Sequence, residues 1–301
     1  MNSKSLVYGS IIAAVIFWSL SFIWYKTALK FYSPEGIIAF RLTISAVILF
    51  VVGFALKQIQ RFKLNDFKLL FIMTLFEPFA YSLCEANGMT MVSSTLAAVI
   101  VATIPLFSPI GAFLFLRERI NLQTAIGIIL SVGGVTLVAY QAGSRTSGSI
   151  LGILLMFGAV VSAIGYAIGL KKLTQRYNSF SIVAYQNLLG ALLIMPIFLA
   201  RNPITPQLFS FEALSPIVKL SLFASTIAFI FYAYSMKHLT ISKINVFINL
   251  IPVFTAIAAY FLLGDRFTMV NLLGIIVTLG GLYVSQLTFK TKAQAAGDIA
   301  S

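Results

Sequence analysis

Charged residues are scarce in this chain. Of its 301 residues, 10% are charged and only 8 are acidic, whereas 59% are hydrophobic. Because a soluble domain carries roughly 25% charged residues, this chain has too few charges to cover a water-facing surface. Cysteine is also rare: the single Cys84 lies inside an apolar run, which excludes a disulfide framework within the chain.

Recognisable chemical motifs are missing as well. We find no nucleotide-binding motif, no metal-ligand cluster and no nucleophile with a neighbouring base. We therefore expect no cofactor, no bound metal and no enzymatic activity. ATP-driven pumping would have no machinery in this chain.

Long apolar runs fill most of the sequence. Each run is about 20 residues long, which is enough to cross a bilayer as a helix. The pattern predicts an all-α integral membrane protein, because the strands of a β-barrel would alternate in short segments. We predict ten transmembrane helices, roughly at 6–25, 34–56, 67–86, 93–116, 121–140, 149–170, 181–200, 213–236, 242–263 and 268–288.

The basic residues lie mainly between these spans. A net charge of +13 could attract nucleic acid, but lysines and arginines in the connections are better explained as topology signals. If the N-terminus is cytoplasmic, fourteen of the 21 lysines and arginines fall on the cytoplasmic side and five on the other. This bias predicts a cytoplasmic (inner) membrane protein with both termini in the cytoplasm and no nucleic-acid partner.

One stretch occurs twice in the chain. Residues 89–140 align without a gap to residues 236–287, at an offset of about 147. Each half carries five spans, an odd number, so the second copy must enter the membrane from the opposite side. We therefore predict two inverted repeats, 1–143 and 144–301, which is a plan used by transporters with a site near the bilayer midplane. The matched pairs include Pro105 with Pro252, Glu118-Arg119 with Asp265-Arg266, and Gly133-Gly134 with Gly280-Gly281.

The end of each repeat follows the motif P-x(12)-[ED]-R-x(7)-G-x(5)-GG, and the first half also carries Phe17-Trp18-Ser19 and Phe40-Arg41. With ten spans in a five-plus-five repeat, this motif resembles the drug/metabolite transporter superfamily, EamA type. The resemblance covers essentially the whole chain. It implies a secondary carrier that exports a small metabolite such as an amino acid, with the fifth and tenth spans as scaffold.

Glu77 is the strongest candidate for contact with a substrate. It lies about ten residues into the third span and is followed by Pro78. A carboxylate at this depth is costly unless it faces a polar cavity, finds a partner or takes up a proton. Glu77 therefore indicates a site for a substrate ammonium or a proton. The alternative is a structural carboxylate bonded to a neighbouring helix.

Tyr81 and Glu85 follow Glu77 at helical spacing, so the three side chains share one stripe. Arg41 lies at a comparable depth in the second span. A pair between Arg41 and Glu85 would satisfy both charges and serve as an outer gate, although Arg41 could instead reach toward the interface. The residues at the positions of Glu77 and Glu85 in the second half are uncharged: Ala224 and Tyr232.

Amides, aromatics and small residues complete the candidates. Asn245 and Asn249 lie one turn apart in span nine, where they would bind polar groups of a substrate or hold neighbouring helices together. Four aromatic residues of spans one, six and eight would form an apolar wall with polar tips, or would simply pack: Trp18, Phe22, Tyr166 and Tyr232. Stripes of small residues predict close helix packing: Gly127, Ser131, Gly134; Gly274, Thr278, Gly281; and Gly158, Ser162, Gly165, Gly169.

The predicted function is therefore secondary transport of a small molecule across the bilayer by alternating access. Protons are a candidate coupling ion, and both a monomer and a homodimer remain open. An importer is an alternative, because direction is not encoded in these features. A non-transporting membrane receptor or assembly factor is another alternative, but passive scaffolds rarely retain intramembrane carboxylates.

The predicted orientation places the connection 141–149 outside the cell. A cysteine introduced by Ser144→Cys, in a Cys84→Ser background, should react with an impermeant thiol reagent added to intact cells. Labelling that appears only after the cells are broken open would reverse the orientation.

Overall fold

The computed structural model describes residues 3–107, 122–140, 149–201, 210–239, 244, 247–264 and 268–286, and every regular element among them is a helix. In chain order the helices are α1 Ser3–Ala28, α2 Pro34–Ala55, α3 Leu64–Thr74, α4 Tyr81–Met91, α5 Ser94–Val101, α6 Leu122–Tyr140, α7 Ile150–Leu173, α8 Ser179–Arg201, α9 Phe211–Lys219, α10 Phe229–His238, α11 Ile251–Leu263 and α12 Met269–Gln286.

Two segments of wider, π-type turns interrupt this pattern. The first wide-turn segment, Leu75–Ala80, joins α3 to α4, and the second, Leu220–Ala228, joins α9 to α10. Shifting the first segment by the repeat offset of about 147 places it inside the second. The same irregularity therefore occurs at matching places in the two halves.

Six helical stretches of the described chain are long and apolar enough to cross a membrane: α1, α2, α3 to α4, α7, α8 and α9 to α10. Shorter apolar helices lie at Ser94–Phe107, Ile251–Leu263 and Met269–Gly281. Parts of the predicted fourth, ninth and tenth spans lie outside the described residues. The third and eighth spans are longer than predicted, at Leu64–Met91 and Phe211–His238.

Serine side chains define where several helices begin. At the starts of α2, α5, α7 and α9, a serine hydroxyl oxygen accepts a hydrogen bond from the backbone N–H three residues later. This bond satisfies one of the free donors of a helix start. The four pairs are Ser33 with Gly36 at 3.1 Å, Ser93 with Leu96 at 3.1 Å, Ser149 with Gly152 at 3.0 Å and Ser210 with Ala213 at 3.3 Å.

Helices from matching places in the two halves pack on one another. These pairs are α2 with α8, α5 with α11, and α6 with α12. In addition, α1 packs against α10 and α11, while its counterpart α7 packs against α4 and α5. These named contacts are thus the same when the two halves are exchanged.

Small residues on α7 let the third span approach closely, as the sequence predicted. A Cβ added at Gly165 would lie 2.8 Å from the Phe76 ring, which is too close for an unchanged side chain. Three glycines of the predicted stripe meet side chains of span three in this way: Gly158 meets Cys84, Gly165 meets Phe76 and Gly169 meets Met73.

The contact between α6 and α12 depends on Gly134. A Cβ added there would lie 2.6 Å from the Gly274 carbonyl oxygen and 2.6 Å from the Thr278 backbone nitrogen. At the neighbouring Gly133, an added Cβ would meet nothing within 4 Å. The prediction of close packing is therefore confirmed at Gly134.

This difference between adjacent glycines can be tested directly. Gly134→Ala should lower the midpoint of thermal unfolding of the purified protein, because overpacking a tight contact costs about 1–3 kcal/mol. Gly133→Ala is the matched control and should leave the midpoint nearly unchanged. Equal shifts for both variants would show that the contact at Gly134 is not tight.

Candidate functional site

A cavity lies between helices of both halves. Its walls come from spans one to four of the first half and from spans six, eight and nine of the second. Its volume is about 90 Å³. Since one water needs about 10–15 Å³, the cavity can hold several waters or a small molecule. Eight of the ten predicted site residues line it: Trp18, Phe22, Arg41, Glu77, Tyr81, Glu85, Tyr166 and Tyr232.

The two predicted amides are not on this wall. Asn245 lies outside the described residues. Asn249 is described, but Ile248 and Ile251 line the cavity in its place, and neighbouring residues point in different directions. The Asn249 Oδ1 atom is buried and has no hydrogen-bond partner among the described residues. Its role as a substrate ligand stays a prediction.

Glu77 lies where the third span departs from regular helix. Its backbone has φ −139° and ψ 122°, which is not helical, and the following Pro78 has no N–H to donate. The side chain is buried, with 4% of the residue exposed. Within the described part of the chain its Oε2 atom has no hydrogen-bond partner. Such a carboxylate can accept a proton or bind a cation.

Arg41 and Glu85 form an ion pair in the cavity wall. The Arg41 Nη2 atom lies 3.9 Å from the Glu85 Oε2 atom and donates a hydrogen bond to the Ser82 hydroxyl at 2.6 Å. The Tyr81 hydroxyl donates to the Glu85 Oε1 atom at 3.1 Å. The guanidinium carbon also lies 5.4 Å from the centre of the Tyr25 ring, in range for a cation–π contact. Both charges are therefore held by several partners.

The charged residues that line the cavity do not balance. They are Arg41, Glu77 and Glu85. When Arg41 and Glu85 are paired, the Glu77 carboxylate leaves one unmatched negative charge. Because an unmatched buried charge is costly, the cavity is suited electrostatically to one proton or one monovalent cation. Across the described residues, no three His, Cys, Asp or Glu side chains come together as metal ligands.

Aromatic rings form the opposite part of the wall. The Trp18 ring meets Tyr232 and Phe229 edge to face, with ring centres 5.1 and 5.3 Å apart. Tyr166 lies parallel to Tyr232, with ring centres 6.4 Å apart, and its hydroxyl donates to Gln186 Oε1 at 3.0 Å. Such ring faces can hold an apolar group or a cation.

Several lining residues were missed by the sequence analysis. Phe229 lies three residues before Tyr232, so both share one helix face, and this spacing was the available signal. Ser21 similarly follows Trp18 by three residues. The other missed residues are small or aliphatic and carry no local signal: Val101, Ile104, Ala163, Ala167, Ile248 and Ile251. Ala224, known only as the repeat counterpart of Glu77, also lines the cavity.

Comparison with known families explains this arrangement of two similar halves. Residues 5–140 and 150–287 each match the EamA-like transporter family. The chain belongs to this family. The resemblance inferred from the repeated motif is thereby confirmed, and the cavity lies within a multi-pass membrane transporter.

Curated relatives of this EamA-like transporter are named as transporters. An uncharacterized transporter of Archaeoglobus fulgidus is 28% identical over 270 residues, covering 90% of this chain and 95% of the relative. Uncharacterized transporter YdfC of Bacillus subtilis is 28% identical, covering 95% and 90%. A probable terminal-alkyne amino-acid exporter of Streptantibioticus cattleyicolor is 23% identical, covering 85% of each chain.

The fold of this EamA-like transporter also occurs in a solved crystal structure. The two share a TM-score of 0.70 at 16% sequence identity, over 94% of this chain and 98% of the other. At this identity the likeness concerns the fold alone.

The Arg41–Glu85 pair generates a double-mutant prediction. Arg41→Gln alone leaves the Glu85 carboxylate uncompensated in apolar surroundings, and breaking a buried pair in this way costs about 3–5 kcal/mol. The double variant, which also carries Glu85→Gln, should be more stable than the Arg41→Gln variant. Thermal unfolding of the four purified proteins measures this coupling, and simple additivity of the two single effects would contradict it.

Proposed function

We propose that this EamA-like transporter exports a small metabolite with an amino group, such as an amino acid, by alternating access and in exchange for protons. The observation that carries the proposal is the buried Glu77 carboxylate, which lacks a hydrogen-bond partner for Oε2 among the described residues and faces a cavity lined by both halves. Import would use the same cavity. Export is favoured because one relative is named as a probable amino-acid exporter.

The proposed architecture is ten spans in two inverted repeats, divided near residues 143 and 144. Two findings support it: helix packing is the same when the halves are exchanged, and wide-turn segments recur at matching places. Interrupted helices in corresponding positions of two halves are typical of transporter binding sites. An inverted pair has two nearly equivalent packings, one open to each side, and this is the physical basis of alternating access.

The proposed orientation keeps both termini in the cytoplasm of the cell, with the chain in the inner membrane. The charge bias of the connections supports it. A contact between halves agrees with it, because Arg176 Nη1 lies 2.6 Å from Asp66 Oδ1 and Tyr177 donates to Asp66 Oδ2 at 2.9 Å. Arg176 and Tyr177 follow span six, and Asp66 lies in the first turn of α3, so the two connections predicted to be cytoplasmic lie on the same side.

The proposed substrate contacts follow from the chemistry of the wall. A substrate ammonium would bind Glu77, and an apolar side chain would lie against Trp18, Phe229 and Tyr232. A substrate carboxylate would bind Arg41, whose guanidinium has five N–H donors. The Nε donor is buried and has no partner among the described residues.

Proton and substrate would then compete for one carboxylate. With a proton on Glu77, the charges that line the empty cavity balance. When a substrate ammonium replaces this proton, its positive charge offsets the Glu77 carboxylate, and the cavity stays neutral. A rise in proton concentration therefore weakens substrate binding on the side to which the cavity is open.

Glu77→Gln tests this exchange, because glutamine keeps the size of the side chain but cannot titrate. In proteoliposomes the variant should lose the pH dependence of transport. Substrate binding should weaken about tenfold or more, as expected for loss of a charged hydrogen bond. In the variant, substrate affinity should also no longer decrease as the pH is lowered.

The matched control is Glu35→Gln. Glu35 lies at the start of α2, where it pairs with Arg201 at 3.5 Å, outside the cavity. This variant should retain the pH profile of the unmodified protein. If Glu77→Gln transports with unaltered rate and pH profile, Glu77 is structural and proton exchange at this site is wrong.

A further inference from the structure

A buried hydrogen-bond network adjoins the second wide-turn segment. The Asn187 Nδ2 atom donates to the Ser45 hydroxyl at 2.7 Å and to the Ser225 carbonyl oxygen at 2.8 Å. The hydroxyl oxygens of Ser45 and Thr226 lie 2.5 Å apart, and Thr226 donates to the Ser221 carbonyl oxygen at 2.8 Å. All five residues are buried. The network therefore links α2, α8 and the second wide-turn segment.

The direction of each hydrogen bond in this network follows from counting donors. The single hydroxyl hydrogen of Thr226 is directed at Ser221, so the hydrogen between Ser45 and Thr226 must come from Ser45. Ser45 can then accept from one N–H of Asn187, while the other N–H reaches Ser225. Every hydrogen of this amide and of the two hydroxyls is used. Such a fully satisfied network specifies one arrangement.

The network acts on the backbone of the wide turn. Thr226 reaches a carbonyl five residues earlier in the chain, and Asn187 reaches a second carbonyl from a different helix. In a membrane, no water is available to satisfy such groups, so side chains must do so. Without these contacts, the backbone groups of this segment would be hydrogen-bonded more completely in a regular α-helix than in a wide turn.

The choice between a wide turn and a regular helix changes which residues face the cavity. A wide turn contains about one residue more than the 3.6 residues of an α-helical turn. Loss of that extra residue rotates everything that follows by roughly 100° about the helix axis. Phe229 and Tyr232 come directly after the segment, and both line the cavity. Their orientation therefore depends on the wide turn.

The network has no polar counterpart in the first half. The repeat offset of about 147 relates Asn187 to Phe40, Ser45 to Leu192 and Thr226 to Phe79. The shared scaffold therefore forms without it in the first half, where the wide turn contains Pro78 instead. The second half therefore has polar side chains at places where their repeat counterparts are apolar.

We propose that Asn187 is a positioning residue that acts through Ser45 and Thr226. It fixes the second wide-turn segment and so directs Phe229 and Tyr232 into the cavity, where they select for the apolar part of the substrate. Asn187 itself does not line the cavity. The part of this inference that concerns selectivity rests on the proposed function, whereas the part that concerns geometry does not.

Thiol labelling tests the geometry without any transport assay. In a Cys84→Ser background, cysteines introduced by Tyr232→Cys or by Phe231→Cys are labelled with a small water-soluble thiol reagent in the purified protein. We expect Asn187→Leu to lower the labelling rate at position 232 by about fivefold or more. Labelling at position 231, which takes over the place of 232 after the rotation, should rise.

Two further variants keep this test decisive. Ser45→Ala removes the hydroxyl that joins Asn187 to Thr226, and it changes the side chain less than Asn187→Leu does. It should change the labelling rates at 231 and 232 in the same directions, so it serves as the test if Asn187→Leu does not fold. Asn87→Leu is the matched control, because among the described residues the Asn87 amide donates only to the Leu83 carbonyl oxygen of its own helix, at 2.8 Å. Unchanged labelling at 231 and 232 in folded Asn187→Leu or Ser45→Ala protein would overturn the positioning role.

Binding of radiolabelled alanine and phenylalanine tests the selectivity. With Tyr232 intact, Asn187→Leu should weaken phenylalanine binding about fivefold or more, while alanine binding and the pH dependence from Glu77 stay the same. If the labelling rates at 231 and 232 change but the ratio of the alanine and phenylalanine affinities does not, Asn187 positions the helix but does not affect selectivity. If neither amino acid binds the unmodified protein, the proposed substrate class fails instead.

Discussion

The interior of a membrane offers no hydrogen-bond partners, so the polar side chains of this chain that lie within it depend on other groups of the protein. At the second wide-turn segment, the amide of Asn187 and the hydroxyl of Thr226 satisfy backbone carbonyls, so the irregular backbone is stable within the protein. At the first, the Glu77 Oε2 atom is buried and is left without a partner by the described residues. Because Glu77 also lines the cavity, we propose that this unsatisfied group is available to a proton or a substrate.

The two halves pack in the same way but contribute different side chains to the cavity. The packing is symmetric, since equivalent helices of the two halves pack on one another, and Gly134 allows α6 and α12 to approach closely. The chemistry is not symmetric, since the counterparts of Glu77 and Asn187 are Ala224 and Phe40. The first half supplies the carboxylates of the cavity, and each half supplies three of its aromatic residues: Trp18, Phe22 and Tyr81 from the first, and Tyr166, Phe229 and Tyr232 from the second. The cavity therefore lies where the halves meet, and we propose that this couples binding to their relative arrangement.

The sequence predicted the features that stand out against an apolar background. Glu77, Glu85 and Arg41 are rare charges within long apolar runs, so they could be recognised individually. The repeat offset was visible because prolines and glycines recur at one spacing. Phe229 was harder to recognise, because it is one of 27 phenylalanines and its spacing from Tyr232 was the one signal. The Asn187 network was invisible because its partners come from three spans whose register depends on tertiary packing, and the wide turns that it stabilises have no signature in local helix propensity.

The charges that line the cavity also relate the substrate to the number of protons exchanged. An amine brings one positive charge and can replace the proton of Glu77 while keeping the cavity neutral. An amino acid brings a carboxylate as well, so its binding to Arg41 and Glu77 leaves one negative charge in excess. That excess is costly in apolar surroundings. Transfer of the Glu77 proton to Glu85 would remove this excess but would release no proton, so exchange for a proton requires the cavity to hold the excess charge while an amino acid is bound. An amine needs no such excess and therefore fits one-for-one exchange with the Glu77 proton better.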